Sequence, residues 1–367
     1  MAVRLFFSTF TFTNPNTEVM KKKHGLLIVA CSLLSVATVA QPRFRLRTDE
    51  ANRKVDVWAD GRLFTSYCFE EKFRKPVLYP VNTASGIEIT RGFPYRPRAF
   101  EHADHPHQVG MTFVFGKVNG RDFWNDSYAR PAADKYKYGF IRHRKITRLS
   151  EGDDRAVLGV ETEWLDNDGN VLLTEEATYA FSGSGDLRTV ERESVLTAAT
   201  DTVTFSDNKE GLFAIRLEKA FEEPARGPEY HTDSLGYPLP EKTIFNRGTR
   251  GVMRNDRGEE REAGVFGKPA RWISNTTEKD GESVTVVLMD HRSNPGYPAR
   301  AFARGYGLFS LNNLGTQCYD PNAQPFSLTL RKGESLRFRH KFAVVSGRKV
   351  TDAEIESMWR EFNAGER

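Results

Sequence analysis

The chain has 367 residues, 53 Lys and Arg against 49 Asp and Glu, a formal charge of +4, and 39% hydrophobic residues. Four of the basic residues (Arg4, Lys21, Lys22, Lys23) and one acidic residue (Glu18) fall in the first 40 positions, so the remainder carries only +1. That balance excludes the broad basic field on which nucleic-acid or anionic-membrane binding draws.

Taken from the N-terminus, Lys21-Lys22-Lys23 follows Met20, and residues 26–40 form an apolar run that ends at Gln41-Pro42-Arg43. Charge, then apolar, then small residues is the order of a secretory signal. The run is shorter than the roughly 20 residues a membrane helix needs. The expectation is a removable signal over residues 1–40, with Met20 as the natural start and a periplasmic or secreted destination. Cleavage after Ala37 or Ala40 is favoured over lipidation at Cys31, because Ser32-Leu33-Leu34 continues the apolar run where a lipoprotein has a polar tether. Beyond the signal only Cys68 and Cys318 remain; they allow one disulfide or none, and no Cys/His zinc spacing exists.

Strand signals then recur. Asp60-Gly61 separates residues 55–58 from 63–67, and Asn119-Gly120 separates 111–118 from Phe123-Trp124, each with hairpin turn chemistry. Residues 156–164 and 171–181 flank the polar turn 166–170 and form the clearest hairpin. Residues 186–197, 283–289, 326–330 and 336–345 alternate or run apolar as further strands. Residues 222–271, rich in Pro, Gly and charge, read as a long irregular surface insert. Thr351 to Glu354 spell a capping box, and Ile355, Met358, Trp359 and Phe362 make one apolar helical stripe. No repeat, linker or low-complexity tract interrupts the pattern. The expected organisation is one all-β domain over 41–348 with a C-terminal helix, 349–367, packed on it.

Four clusters carry the candidate chemistry. Residues 102–110 hold His102, Asp104, His105, Pro106 and His107. In extended chain His105 and His107 share a face and Asp104 points away. Two imidazoles so placed can ligate a metal or act as acid and base near neutral pH. Asp207, Lys209 and Glu210 precede a short apolar strand containing Arg216. Asp290, His291 and Asn294 end the apolar strand 284–289, where polar groups are rigidly held. Arg304, Gly305, Tyr306 and Gly307 form a turn whose glycines permit close backbone approach. Nucleophile-elbow, phosphate-loop, dinucleotide and zinc-protease motifs are absent. The cofactor is left open: a divalent metal is compatible with the histidines, and nothing in the sequence requires one.

Taken together these segments resemble a bacterial family labelled "methane oxygenase PmoA". The matching residues are Lys75 to Pro80, Ser85-Gly86, Thr90-Arg91-Gly92, Asp104 to His107 with Gly110, Val118 to Gly120 with Phe123-Trp124, Lys209 to Gly211 with Arg216, Asp290-His291 with Asn294-Pro295, and Arg304 with Tyr306 to Phe309. Gln108 stands where the family often has another histidine, which weighs against a metal role needing that third ligand. The label's activity is set aside, since a methane monooxygenase subunit crosses the membrane several times and no such segment follows residue 40. The resemblance implies an exported β-sandwich protein of polysaccharide-degrading bacteria. The expected fold is a large β-sandwich, of the double-sheet type of galactose mutarotases and some polysaccharide lyases.

The expected function is a glycan hydrolase or lyase, with His105, His107, Glu210, Asp290 and His291 in proton transfer. Arg91, Trp124, His143, Lys209, Arg216, Asn294, Arg304 and Tyr306 would hold a glycan or small sugar. A sugar epimerase or mutarotase, or a non-catalytic periplasmic glycan-binding protein, are the alternatives. The four clusters are expected to meet in one concave site.

Overall fold

Side chains that alternate between core and solvent make strands, and the burial of Val171–Ser182 and Leu187–Ala198 alternates along most of their length. The computed structural model describes residues 42–245 and 248–364; the expected signal region lies outside them. Among the described residues, two eight-stranded antiparallel sheets dominate. The front sheet runs, edge to edge, Phe44–Asp49, Lys54–Ala59, Arg62–Cys68, Val77–Val81, Met111–Phe113, Phe213–Arg216, Leu308–Asn312 and Arg300–Ala301. The back sheet runs Val252–Asn255, Trp272–Lys279, Glu282–Asp290, Ser335–Ser346, Leu187–Ala198, Val171–Ser182, Arg155–Asp166 and Gly139–Ser150. One continuous hydrophobic core joins them. Phe113 packs on Phe338 with ring centroids 5.6 Å apart, Phe213 on His340 at 5.1 Å and Phe64 on Phe181 at 6.3 Å. The chain is an all-β sandwich, and from Pro42 onward it forms one compact unit.

The helix Asp352–Phe362 begins as its sequence dictates. The Glu354 N–H donates to the Thr351 hydroxyl at 3.3 Å, and the Thr351 N–H donates to the Glu354 carboxylate at 2.8 Å. Ile355, Trp359 and Phe362 pack on Trp272, Val287, Met289 and Ala343. Val286 and Leu288, which alternate with two of these, point into the sandwich, so the helix covers the outer face of the back sheet. No helix among the described residues is long and apolar enough to cross a membrane.

Two expectations need correction. Residues 222–271 are not irregular throughout. They contain the hairpin Glu229–Thr232 with Pro238–Thr243, the back-sheet edge strand Val252–Asn255 and the short helix Arg261–Val265. The inward positions here include Glu222, Glu223, His231, Thr232 and Asn255, so the apolar alternation that marks a strand is missing. The Asn119-Gly120 turn forms, but its arms meet only at Val118 and Arg121, while Phe123 and Trp124 enter the core. Cys68 is buried, Cys318 is exposed, and both are free thiols.

The pleat decides where a site can lie. Phe113 and Phe213 face the back sheet, so Thr112, Ala214, Arg216 and Leu308, out of phase with them by one residue or paired across the strands, face the other way. The segments carrying Arg91, residues 102–110, Trp124 and Tyr306 lie against that outer face.

Candidate active site

The site is organised by one carboxylate. Asp104 Oδ1 accepts from Arg91 at 2.8 Å and from Arg216 at 3.1 Å, while its Oδ2 lies 2.5 Å from His105 Nδ1. Burial alone would raise the Asp104 pKa. Arg216, the His105 hydrogen bond and Arg91 outweigh it and hold the carboxyl well below its ordinary range. Asp104 therefore stays ionised and fixes the orientation of His105, whose side chain is 42% exposed. His105 stacks on Tyr306 with centroids 5.3 Å apart and planes 9° from parallel. The Arg216 guanidinium sits 4.6 Å from the centre of the Tyr306 ring and also donates to Gln108 Oε1.

Extended geometry would have turned Asp104 away from His105. The backbone prevents that: His105 has φ +42°, a left-handed conformation that breaks the alternation and brings the two side chains together. The loop is held in this shape by Arg91. Its guanidinium donates to the carbonyls of His102, Asp104, His105 and Gln108 at 2.9–3.1 Å. The loop ends at Gly110, with φ +57°, where a Cβ would come within 2.4 Å of the Leu78 carbonyl.

His107 lies behind His105, ring centroids 5.6 Å apart, and is buried. Neither of its ring nitrogens has a hydrogen-bond partner. Burial, then the charges of Lys75, His105, Arg130 and Arg91, push its pKa well down, so the ring is neutral. Trp124 packs 6.5 Å from it. The next residue, Asn125, donates to both Glu210, at 2.5 Å, and Asp122, at 2.9 Å. Burial and the Asp122 charge raise the Glu210 pKa, whereas Asn125, Lys209 and His105 lower it. Glu210 thus holds its proton to higher pH than a free glutamate does.

Tyr306 also lines a cleft of about 260 Å³. His102, Glu223, Glu229, Glu262 and Arg304 line it with Tyr306. His102 Nε2 lies 3.3 Å from Glu222, both groups buried, and its ring rests on His231 at 4.5 Å. Arg304 donates to Glu262 at 2.9 Å, and Glu262 also accepts from the Gly305 N–H at 2.6 Å.

The fold therefore brings His105, His107, Glu210, Arg216 and Tyr306 into one neighbourhood, with Arg304 at the cleft. Lys209 is exposed beside Glu210, and its carbonyl accepts from the Tyr319 hydroxyl at 2.5 Å. Three expected substrate ligands have other work. Arg91 is buried, and both of its terminal nitrogens are taken up by the loop it folds. Trp124 is 3% exposed, wedged between His107 and Phe302, with no free face for a sugar ring. His143 lies elsewhere, on the strand Gly139–Ser150, its ring tilted against Phe69 with centroids 4.1 Å apart and within 3.1 Å of the Tyr67 hydroxyl.

The cluster at Asp290 does not join the site. Asp290 is paired across the strands with His340, whose ring meets Phe213, so Asp290 points into the sandwich, on the opposite side of the front sheet from Arg216. Its carboxylate accepts from Asn294, Asn313 and the Ala299 N–H at 2.7–3.0 Å. Burial pushes it up to about 7 against those donors. His291 is buried against Phe362, centroids 5.0 Å apart, within reach of Ser293 and Arg339. Asp290, His291 and Asn294 form an internal polar network beneath the C-terminal helix, closed to a substrate.

Residues not anticipated from sequence include Asp104 as the organiser, His102 with Glu222, Asn125, and the cleft carboxylates Glu223, Glu229 and Glu262. His102 and Asp104 lay inside a cluster already conspicuous for its histidines. The others sit in segments without a chemical pattern. Among the described residues no three His, Cys, Asp or Glu side chains are grouped to hold a metal ion.

The model of a family of unknown function, DUF6807, matches residues 54–360. The chain belongs to that family. Among solved structures it is similar to the GH36 α-galactosidase AgaB from Geobacillus stearothermophilus, at 10% identity and TM-score 0.38, over 82% of this chain and 40% of that one. It is also similar to the Slr1438 protein from Synechocystis sp. PCC 6803, at 8% identity and TM-score 0.32, over 84% and 97%. The chain spans about two-fifths of the length of the galactosidase. No curated protein matches the sequence.

Proposed function

We propose that the chain is a carbohydrate-active enzyme, a hydrolase or lyase, that works by proton transfer: His105 as general base, oriented by Asp104, and Glu210 as general acid. The observation that carries this reading is the Asp104–His105 pair itself. An ionised carboxylate 2.5 Å from Nδ1 directs the other ring nitrogen outward at the mouth of the site. An imidazole so held is a better base in the transition state than a free one, because the carboxylate stabilises the imidazolium that forms. The second requirement is a proton donor, and Glu210 is the candidate, since burial raises its carboxyl above the ordinary glutamate range. The cleft offers carboxylates, a guanidinium and a phenol, the hydrogen-bonding groups that sugar hydroxyls take. The exported location expected from residues 20–40 belongs to the same reading, since polymeric glycans lie outside the cytoplasm.

A second reading has its own support. The cleft's volume of about 260 Å³ falls below the roughly 300–1,000 Å³ of most ligand sites, which favours a small sugar over a chain. An epimerase or mutarotase would use the same base and acid without cleaving a bond. The test is product analysis by NMR after incubating the protein with neutral and acidic oligosaccharides and with free sugars. New ends indicate hydrolysis, a new double bond elimination, and anomer or epimer exchange the second reading. In each case His105→Ala should lower turnover by about 10²–10⁴-fold, the contribution of a positioned acid–base group, with an unchanged circular dichroism spectrum. A sugar that binds with no conversion by either protein would instead make the chain a glycan-binding module.

A further inference from the structure

Beneath His107 lies a second, smaller cavity, about 10 Å³ in volume and partly open to the outside. Arg216 lines it and Tyr306 lines the larger cleft, and the Arg216 guanidinium lies 4.6 Å from the centre of the Tyr306 ring. The polar part of its wall is Lys75, His107, Gln108, Thr112 and Arg216, and no carboxylate lines it.

Each of the three basic groups is under-used where it stands. Lys75 is 3% exposed, and its ammonium donates to two backbone carbonyls, those of Trp124 at 3.0 Å and Asp126 at 3.5 Å. Arg216 is 1% exposed, and its Nε–H has no partner. His107 is 6% exposed, with neither ring nitrogen bonded. Buried polar atoms in native proteins are nearly always paired. Two cations and an imidazole that can offer one N–H surround this space, donors that an anion would take. The volume limits which anion. Roughly 10–15 Å³ is the room of one water-sized group, enough for a carboxylate oxygen and too little for a tetrahedral sulfate or phosphate.

Resting on the proposed carbohydrate activity, we infer that the substrate is a uronic-acid sugar, whose carboxylate enters this cavity and is held by Lys75, His107 and Arg216. The sugar ring would then lie at the mouth, beside His105, whose ring centroid is 5.6 Å from that of His107. Lys75 supplies a signature of its own. Burial lowers its pKa to about 8, and an arriving carboxylate would restore the charged form, so binding at pH 8 should take up a proton.

The test is calorimetric titration of the full chain with short galacturonate and glucuronate oligosaccharides and with the matched galactose and glucose series. The expected result is that one uronate series binds at least about tenfold more tightly than its neutral counterpart, that the preference shrinks as salt is raised, and that the heat at pH 8 changes with the buffer's ionisation enthalpy. His107→Phe, which keeps the ring and removes both nitrogens, should reduce the uronate preference severalfold, the remainder being carried by Lys75 and Arg216. Neutral sugars binding as well as uronates, no binding of any uronate, or an undiminished preference in H107F would overturn the inference and leave water as the cavity's occupant. The two proposals fail separately. Turnover of a neutral sugar that depends on His105 would keep the activity and reject the carboxylate site. A uronate preference without turnover would do the reverse.

Discussion

Replacing Asp104 tests the organisation of the site without knowledge of its substrate. Asp104→Asn keeps the shape and the acceptor oxygen that serves Arg91 and Arg216 at 2.8 and 3.1 Å, and removes the charge. Breaking a buried ion pair usually costs about 3–5 kcal/mol, because a charge is left uncompensated. Here both cations keep neutral acceptors: four backbone carbonyls around Arg91, and Gln108 Oε1 for Arg216. The loss should therefore be the difference between charged and neutral hydrogen bonds, about 1 kcal/mol each, or about 2 kcal/mol in total. Asp104→Ala removes the acceptor as well and should reach about 4 kcal/mol. Urea unfolding at pH 7 measures both, as shifts in midpoint at constant slope. The pH dependence follows from the sign of the shift. A carboxyl whose folded pKa lies below its unfolded value of about 3.9 contributes stability that is complete above that value and is lost as pH falls through the folded pKa. Ionisation of the Asp104 carboxyl itself should thus add no pH dependence to the gap between wild type and D104N above about pH 5. Equal costs for the two variants, or a D104N cost under about 1 kcal/mol, would refute the view that this carboxylate holds the site together.

The remaining predictions concern groups on either side of the front sheet. His107 is neutral in the folded chain, with its pKa depressed well below the roughly 6.5 it has when unfolded. On acidification below 6.5 the unfolded chain gains a proton that the folded chain refuses, so wild type should lose stability relative to H107F by up to about 1.4 kcal/mol per pH unit; a pH-independent difference in urea midpoint would contradict this. Asp290→Asn would set an amide N–H₂ against donors that are already N–H groups, those of Asn294, Asn313 and Ala299. It should cost about 1–3 kcal/mol while leaving sugar affinity and turnover at wild-type levels. A selective loss of turnover in D290N would return that residue to the site.

Much of the fold was legible because strands and the terminal helix announce themselves through apolar period and turn chemistry. Asp60-Gly61, with both residues at positive φ, and the Thr351–Glu354 box did what their chemistry requires. Residues 222–271 were illegible for the converse reason: His231, Glu222 and Asn255 are buried, and polar residues facing inward erase the hydrophobic signal. The site was half legible. Local density of histidine pointed to residues 102–107. It could not reveal that a left-handed His105 would place Asp104 beside its imidazole, since alternation in extended chain implies the opposite. Nor could it separate Asp290 from Glu210. Each carboxylate adjoins an apolar strand, and only the pairing of Asp290 with His340 shows that its side chain points inward.

That separation decides where a mechanism can be sought. The front sheet carries polar groups on both faces. Between the sheets, Asp290, Asn294, Asn313 and His340 satisfy one another, and burial drives His340 down to about 3. A group sealed there exchanges protons with no ligand, however far its pKa is displaced, so a displaced pKa alone does not mark a catalyst. On the outer face the arrangement is different in kind. Asp104 is fixed in charge by two arginines, His105 reaches solvent, burial raises the Glu210 pKa, and His107 presents unpaired nitrogens to a cavity. Stability would have been served by pairing those nitrogens or by replacing the ring with an apolar one. Unpaired nitrogens beside an exposed base, at a cost of about 1–3 kcal/mol per atom, are the physical ground for seeking function on this face of the sheet.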